Sequence, residues 1–223
     1  MNESNPKAVA QPTLEMTTGA VCRVLLIRHG RSADVVPGSP MSADPPLHQV
    51  GVQQAIAVGK RLAGTPLHAV FSSQLLRANS TAVAIAQHHG LDVIVNPDLE
   101  EVKLGDWSNG EFRRRAALAD PDFIAWTTQG TWDGIPGGEG DAVFRARVTK
   151  AIHSTAQQHI GQTIAIVAHG GVINAFIAQI LGSSRTMWFT IENTSITIVK
   201  IGTTSSSFQV INDCQHLYDQ VNI

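Results

Sequence analysis

Two apolar runs of strand type, LLIRHGRS near the start of the chain and IAIVAHGG near its end, each break at a histidine followed at once by glycine. His29 and His169 lie 140 residues apart, so no local turn rule accounts for the echo. Short continuous apolar runs suit strands buried on both faces, as where helices cover a parallel sheet. In such sheets ligands collect where strands end and helices begin. Two matching strand ends therefore predict one pocket that holds both imidazoles.

The rest of the chain keeps a strand–helix alternation. VCRVLLI reads as the first strand, and the Pro-, Ser-, Gly- and Asp-rich stretch 32–46 as a long loop. GVQQAIAVGKRLAG and LLRANSTAVAIAQHHG carry small and apolar residues at helical spacing and stop at glycine. HAVFSS and DVIVNP read as strands, the second closed by Pro97. A helix over about 142–159, the strand TIAIVAH and the helix GVINAFIAQILG follow, with SITIVKIG and FQVIND as closing strands. Between about 102 and 140 the character changes: Trp107, Trp126, Trp132, Phe112, Phe123, an RRR run and IPGGEG gather there. The predicted fold class is α/β, a single domain over 21–223 with a mainly parallel sheet, helices on both faces and a small helical lid at 102–140. Residues 1–20 lack a basic segment followed by an apolar one, so they read as a flexible arm rather than a signal peptide.

Bulk properties exclude several classes. A net charge of −2 with no long Lys/Arg run argues against a nucleic-acid partner. No apolar run reaches membrane-spanning length, so no membrane partner is expected. Cys22 and Cys214 stand far apart with no CxxC pattern, as reduced structural thiols of a cytoplasmic protein would. Oligomeric state stays open, a homodimer being one arrangement the sequence admits.

The chemistry-bearing residues fall in four places. Arg28 ends a buried strand, where a desolvated guanidinium needs an anion; a phosphate fits its planar fork, and so does a nearby carboxylate. A neutral His29 beside it is a candidate nucleophile, and Gly30 is expected to let the backbone approach a ligand. Arg77, one turn into the next helix, adds a second guanidinium near a dipole end that attracts anions. In AHGG, Gly170 and Gly171 open a helix whose free N–H groups suit a phosphoryl oxygen, while His169 faces the same charge. In LEEVKLGDW, Glu100 and Glu101 are candidate proton donors to a departing alkoxide. Neighbours on an extended segment point to opposite sides, so one of the two should face the pocket, and spacing does not say which.

RHGRS, SQLLRANSTA, LEEVKLGDW and AHGG occur in that order, and together they resemble the motifs of the histidine phosphatase superfamily, also called phosphoglycerate-mutase-like. The resemblance runs from about Arg23 to the INDCQHL segment. It implies that His29 becomes phosphohistidine and that Arg28, Arg77, His169 and Gly170 hold the phosphate of a small phosphorylated substrate. It places the acid on Glu101. Attack would be ping-pong, with no metal and no cofactor, since arginines and helix N-termini supply the positive field. The 68 residues from Glu101 to His169, PGGEG and HGG resemble the phosphatase branch rather than the mutases. A phosphoglycerate-mutase-type phosphomutase is the alternative within that class, and a non-catalytic phosphate-binding protein on the same scaffold is the alternative outside it.

Departures from the pattern cluster after the first histidine. Many relatives continue RHGxSxWN, whereas Asp34 and Val35 occupy the last two positions here. Arg31, Ser32 and Asp34 are therefore expected to shape an unusual substrate site. Ser108-Asn109 stand where an acidic residue is usual, and Gly140 where serine is common. Arg113, Arg114 and Arg115 read as a solvated helix face from which one could reach a second anionic group. The seven other histidines lack metal-ligand spacing and read as structural.

Overall fold

A computed structural model describes residues 19–218; the expected N-terminal arm lies almost wholly outside them. In chain order the main elements are β1 (Cys22–Arg28), α1 (Gln49–Leu62), β2 (Ala69–Ser72), α2 (Leu76–Ala86) and β3 (Val93–Val95). The 102–140 stretch holds α3 (Glu111–Ala117) and α4 (Pro121–Gln129). Then follow α5 (Asp141–Gln157), β4 (Thr163–Ala168), α6 (Gly170–Ile180), β5 (Ile196–Ile201), β6 (Ser206–Asp213) and the short α7 (Gln215–Tyr218). They form one α/β domain around a six-stranded sheet ordered β3-β2-β4-β1-β5-β6. β1–β4, β2–β4 and β2–β3 are parallel, and β5 and β6 close the sheet antiparallel.

The unbroken apolar run of β1 follows from burial on both faces. Val24 and Leu26 face α5 and α6, packing with Phe144, Ile152, Ile173 and Phe176, while Leu25 and Ile27 face α1 and α2 with Val58, Ala78 and Ile85. Burying each such side chain contributes roughly 1.5–3 kcal/mol. The aromatic residues of 102–140 form a separate cluster: Trp107 and Trp126 meet edge-on at 5.4 Å, with Phe112, Phe123 and Trp132 around them. Both cysteines are buried and unbridged, and burial pushes the Cys22 thiol up to about 11. Among the described residues no helix is long and apolar enough to cross a membrane.

Gly30 has a packing reason to be glycine beside the one the sequence suggested. A Cβ there would stand 2.5 Å from the Gly51 carbonyl oxygen, and one on Gly51 would collide with the Arg31 carbonyl. Two glycines let the turn after β1 lie against the first turn of α1.

Candidate active site

The parallel strands β1, β2 and β4 end on one edge of the sheet. Register pairs Arg28 with Ala168, so the residues that follow, His29 and His169, leave the sheet side by side with ring centroids 5.1 Å apart. Nδ1 of His29 lies 2.7 Å from the Gly30 carbonyl oxygen. A carbonyl only accepts, so Nδ1 carries the proton and Nε2 the lone pair. Arg77 agrees: its Nε, which can only donate, lies 3.2 Å from that Nε2. Burial first, then Arg77 and Arg28, hold His29 well below the ordinary 6.5, which keeps the imidazole neutral.

The two guanidiniums are fixed from outside the pocket. Arg28 donates through Nη1 to the Ile191 carbonyl, while its Nε is buried without a protein partner. Arg77 lies 3.5 Å from Asp44, whose carboxylate also accepts from the Leu76 N–H at 3.1 Å. Asn193 donates to the His29 carbonyl oxygen at 2.8 Å. Nε2 of His169 lies 2.8 Å from the Ser73 hydroxyl, and its Nδ1 is buried without a partner. Ser73, Asp44 and Asn193 escaped the sequence reading. For Ser73 a signal was present, a polar residue at the carboxyl end of a strand.

Glu101 is the member of the acidic pair held against the start of α6. Its carboxylate accepts from the Val102 N–H at 3.0 Å and the Gly171 N–H at 3.1 Å. Burial raises its pKa above the usual 4.5, opposed by those two N–H groups and by Arg77 and Arg28. Burial wins because both arginines act across the pocket, without direct contact. Gly171 therefore holds the Glu101 carboxylate, whereas Gly170 sits beside Arg28, a Cβ there being 3.7 Å from Nε.

Arg28, His29, Arg77 and Glu101 open into a cavity of about 570 Å³ lined also by Trp107 and Arg113 among others, within the range of small-molecule sites, roughly 300–1,000 Å³; His169, expected to share that pocket, is fully buried beside His29 and does not line it. Ser32 lines it too. Arg31 and Asp34 do not; they pair with each other at 3.2 Å, with the Asp34 side chain 83% exposed. Of the RRR run, Arg114 and Arg115 bind acidic groups of their own segment, while Arg113 reaches the cavity. Among the described residues no cluster of His, Cys, Asp and Glu suits a metal ion.

Residues 24–214 match the model of the histidine phosphatase superfamily, branch 1. The chain belongs to that superfamily. It is 31% identical over 198 residues to the adenosylcobalamin/alpha-ribazole phosphatase of Escherichia coli, a match covering 85% of this chain and 95% of that one. It is also 31% identical to the glucosyl-3-phosphoglycerate phosphatase of Mycolicibacterium vanbaalenii, over 75% of this chain and 78% of the relative. The solved mycobacterial glucosyl-3-phosphoglycerate phosphatase superposes with a TM-score of 0.72 at 27% identity, covering 86% of this chain and 99% of that one. Family and relatives together make this chain a histidine phosphatase.

Proposed function

We propose that this histidine phosphatase hydrolyses a small phosphomonoester without a metal, through a phosphohistidine on Nε2 of His29. The observation that carries the reading is the locked tautomer: Nδ1–H is committed to the Gly30 carbonyl, so the lone pair points to where Arg77 now donates. A phosphate bound by Arg28 and Arg77 would take over those donors and meet Nε2 in line. As the N–P bond forms, the ester P–O bond breaks and Glu101 passes its proton to the leaving alkoxide. His169, held by Ser73, and the Gly170 end of α6 would face the equatorial oxygens as charge develops. Glu101, now ionised, takes a proton from water, whose oxygen attacks phosphorus and frees His29 with inorganic phosphate.

The test is a quench in base after brief mixing with a labelled phosphomonoester. Wild type should hold label that is stable to base and released by acid, and His29→Ala should hold none and turn nothing over. Equal turnover by the two proteins would remove His29 from the reaction.

A further inference from the structure

The cavity carries more positive charge than one phosphate uses. Arg28 and Arg77 flank His29, and Arg113 enters from α3 as a third guanidinium. Its two neighbours in sequence are neutralised within their own segment: Arg114 lies 2.7 Å from Glu111, and Arg115 lies 2.9 Å from Glu111 and 3.1 Å from Asp120. Arg113 meets only neutral oxygens, the Ala33 carbonyl at 3.0 Å and the Ser32 hydroxyl at 2.8 Å. Among the described residues no carboxylate lies within ion-pair distance of it. The nearest influence, Asp34, is committed to Arg31 in solvent.

Its position is electrostatically continuous with the reacting centre. Arg113 depresses the pKa of Arg28, of Arg77 and of His29, and its exposed side chain is held at the cavity wall by the Ser32 hydroxyl and the Ala33 carbonyl. A guanidinium fixed at the cavity wall without a counter-charge leaves its donors available to an anion that enters. A phosphate at His29 is already matched by the two arginines there, and the leaving group must occupy the cavity between them and Arg113. The acidic residues lining the cavity, Glu100 and Glu101, belong to the segment after β3.

We infer that Arg113 recognises a second anionic group on the alcohol part of the substrate, with the Ser32 hydroxyl as a companion donor. The inference rests on the phosphomonoester reading of this pocket and narrows it: the substrate is a phosphate ester whose alcohol also bears a carboxylate or a second phosphate. Arg113 acts on specificity, at a distance from the phosphorus atom.

Matched pairs of esters test this. Phosphoserine against phosphoethanolamine, and 3-phosphoglycerate against glycerol 3-phosphate, differ by a carboxylate; glucose 1,6-bisphosphate against glucose 6-phosphate differs by a phosphate. Wild type should favour the doubly anionic member of one class in kcat/KM, measured by phosphate release. The pair that discriminates names the anion. Arg113→Gln should bring that ratio down by about 10- to 100-fold, chiefly through KM, as for loss of a charge-assisted hydrogen bond, and Arg113→Lys should keep part of it. Were Arg113 only a latch between α3 and the loop after β1, both variants would lower both members in equal proportion, and the inference would fall. It would fall equally if wild type favoured neither member of any pair.

Calorimetric binding to His29→Ala and to His29→Ala with Arg113→Gln separates this inference from the one it rests on. Binding preference lost on removing Arg113 upholds the subsite whatever the His29 variant does in turnover. Turnover by His29→Ala at the wild-type rate would remove only the phosphohistidine reading.

Discussion

Gly171→Ala adds one methyl group to the first turn of α6 and should disable the acid while leaving the fold in place. A Cβ at Gly171 would overlap Glu101 Oε1 and stand 3.0 Å from Glu101 Cδ and 3.1 Å from Trp132 Cζ2. Carbon atoms pack at about 3.5–4.0 Å, so the carboxyl group must retreat by roughly 0.5–1 Å, away from the Gly171 N–H that holds it. A shift of about 1 Å in a reacting group costs on the order of 100-fold in rate. Overpacking costs about 1–3 kcal/mol, offset by the roughly 0.5–1 kcal/mol that alanine gains over glycine in a helix. The net loss lowers Tm by a few degrees in a domain of this size. The assay is kcat/KM, which reports the phosphorylation step, on an alkyl phosphomonoester and on p-nitrophenyl phosphate, whose phenolate leaves without a proton. Gly171→Ala should lose about 100-fold on the alkyl ester and far less on the aryl one, and Glu101→Gln should show the same split. Equal losses on both esters in both variants would refute Glu101 as the leaving-group acid. Full alkyl activity in a folded Gly171→Ala would refute the packing argument.

Asp44→Asn should lower kcat/KM about fivefold, because a partly exposed ion pair contributes about 1 kcal/mol to holding Arg77; an unchanged value would make Asp44 dispensable for placing that guanidinium. Burial depresses His29 and His169 below 6.5, so the unfolded chain takes up protons that the folded one refuses. Stability is therefore full above pH 6.5 and falls as pH drops below it, by up to about 1.4 kcal/mol per pH unit for each histidine. Glu101, raised above 4.5, works in the opposite sense from pH 4.5 upward, since the unfolded chain releases the proton first as pH rises. Urea midpoints between pH 7.5 and 5 should fall, more steeply in Glu101→Gln and less steeply in His29→Gln; a flat profile would contradict the buried neutral histidines. Binding of inorganic phosphate at pH 6–7 should draw protons from solution, seen as a dependence of calorimetric heat on buffer ionisation enthalpy that Glu101→Gln reduces.

What the sequence could show depended on whether the signal was periodic or positional. The two His-Gly breaks predicted one pocket for both imidazoles; β1 and β4 are hydrogen-bonded neighbours and bring the rings together, but only His29 lines the cavity and His169 is buried beside it. Continuous apolar runs predicted strands covered on both faces, which the two core layers bear out. The acidic pair was undecided until the fold set Glu101 against the first turn of α6. Groups that hold others in place were invisible, because their identity lies in distance rather than in residue type. The Ile191 carbonyl that orients Arg28 could belong to any residue, and Asp44 reads as one more polar residue of a long loop. A contact between glycines was equally invisible: Gly30 and Gly51 answer each other across 21 residues, and neither alone indicates it. Arg31 and Asp34, prominent as departures from a family pattern, satisfy each other in solvent.

The field of the two arginines has opposite value for the two proton-handling groups. Arg28 and Arg77 lower His29, which keeps the proposed nucleophile unprotonated, and they also lower Glu101, which works against its proposed service as an acid. Burial acts on both groups independently of the arginines, pushing His29 down and Glu101 up. A bound phosphate dianion offsets both guanidiniums and leaves burial in place. Its arrival thus removes part of what ionises Glu101, so the acid is best protonated when an alkoxide is about to leave. His29 is pulled upward by the same anion, yet it starts well below 6.5 and its lone pair is then directed at phosphorus. Placing the acid across the pocket, bound to backbone N–H groups rather than to an arginine, is what allows this response. A Glu101 paired directly with either guanidinium would stay ionised in the empty and in the occupied site alike.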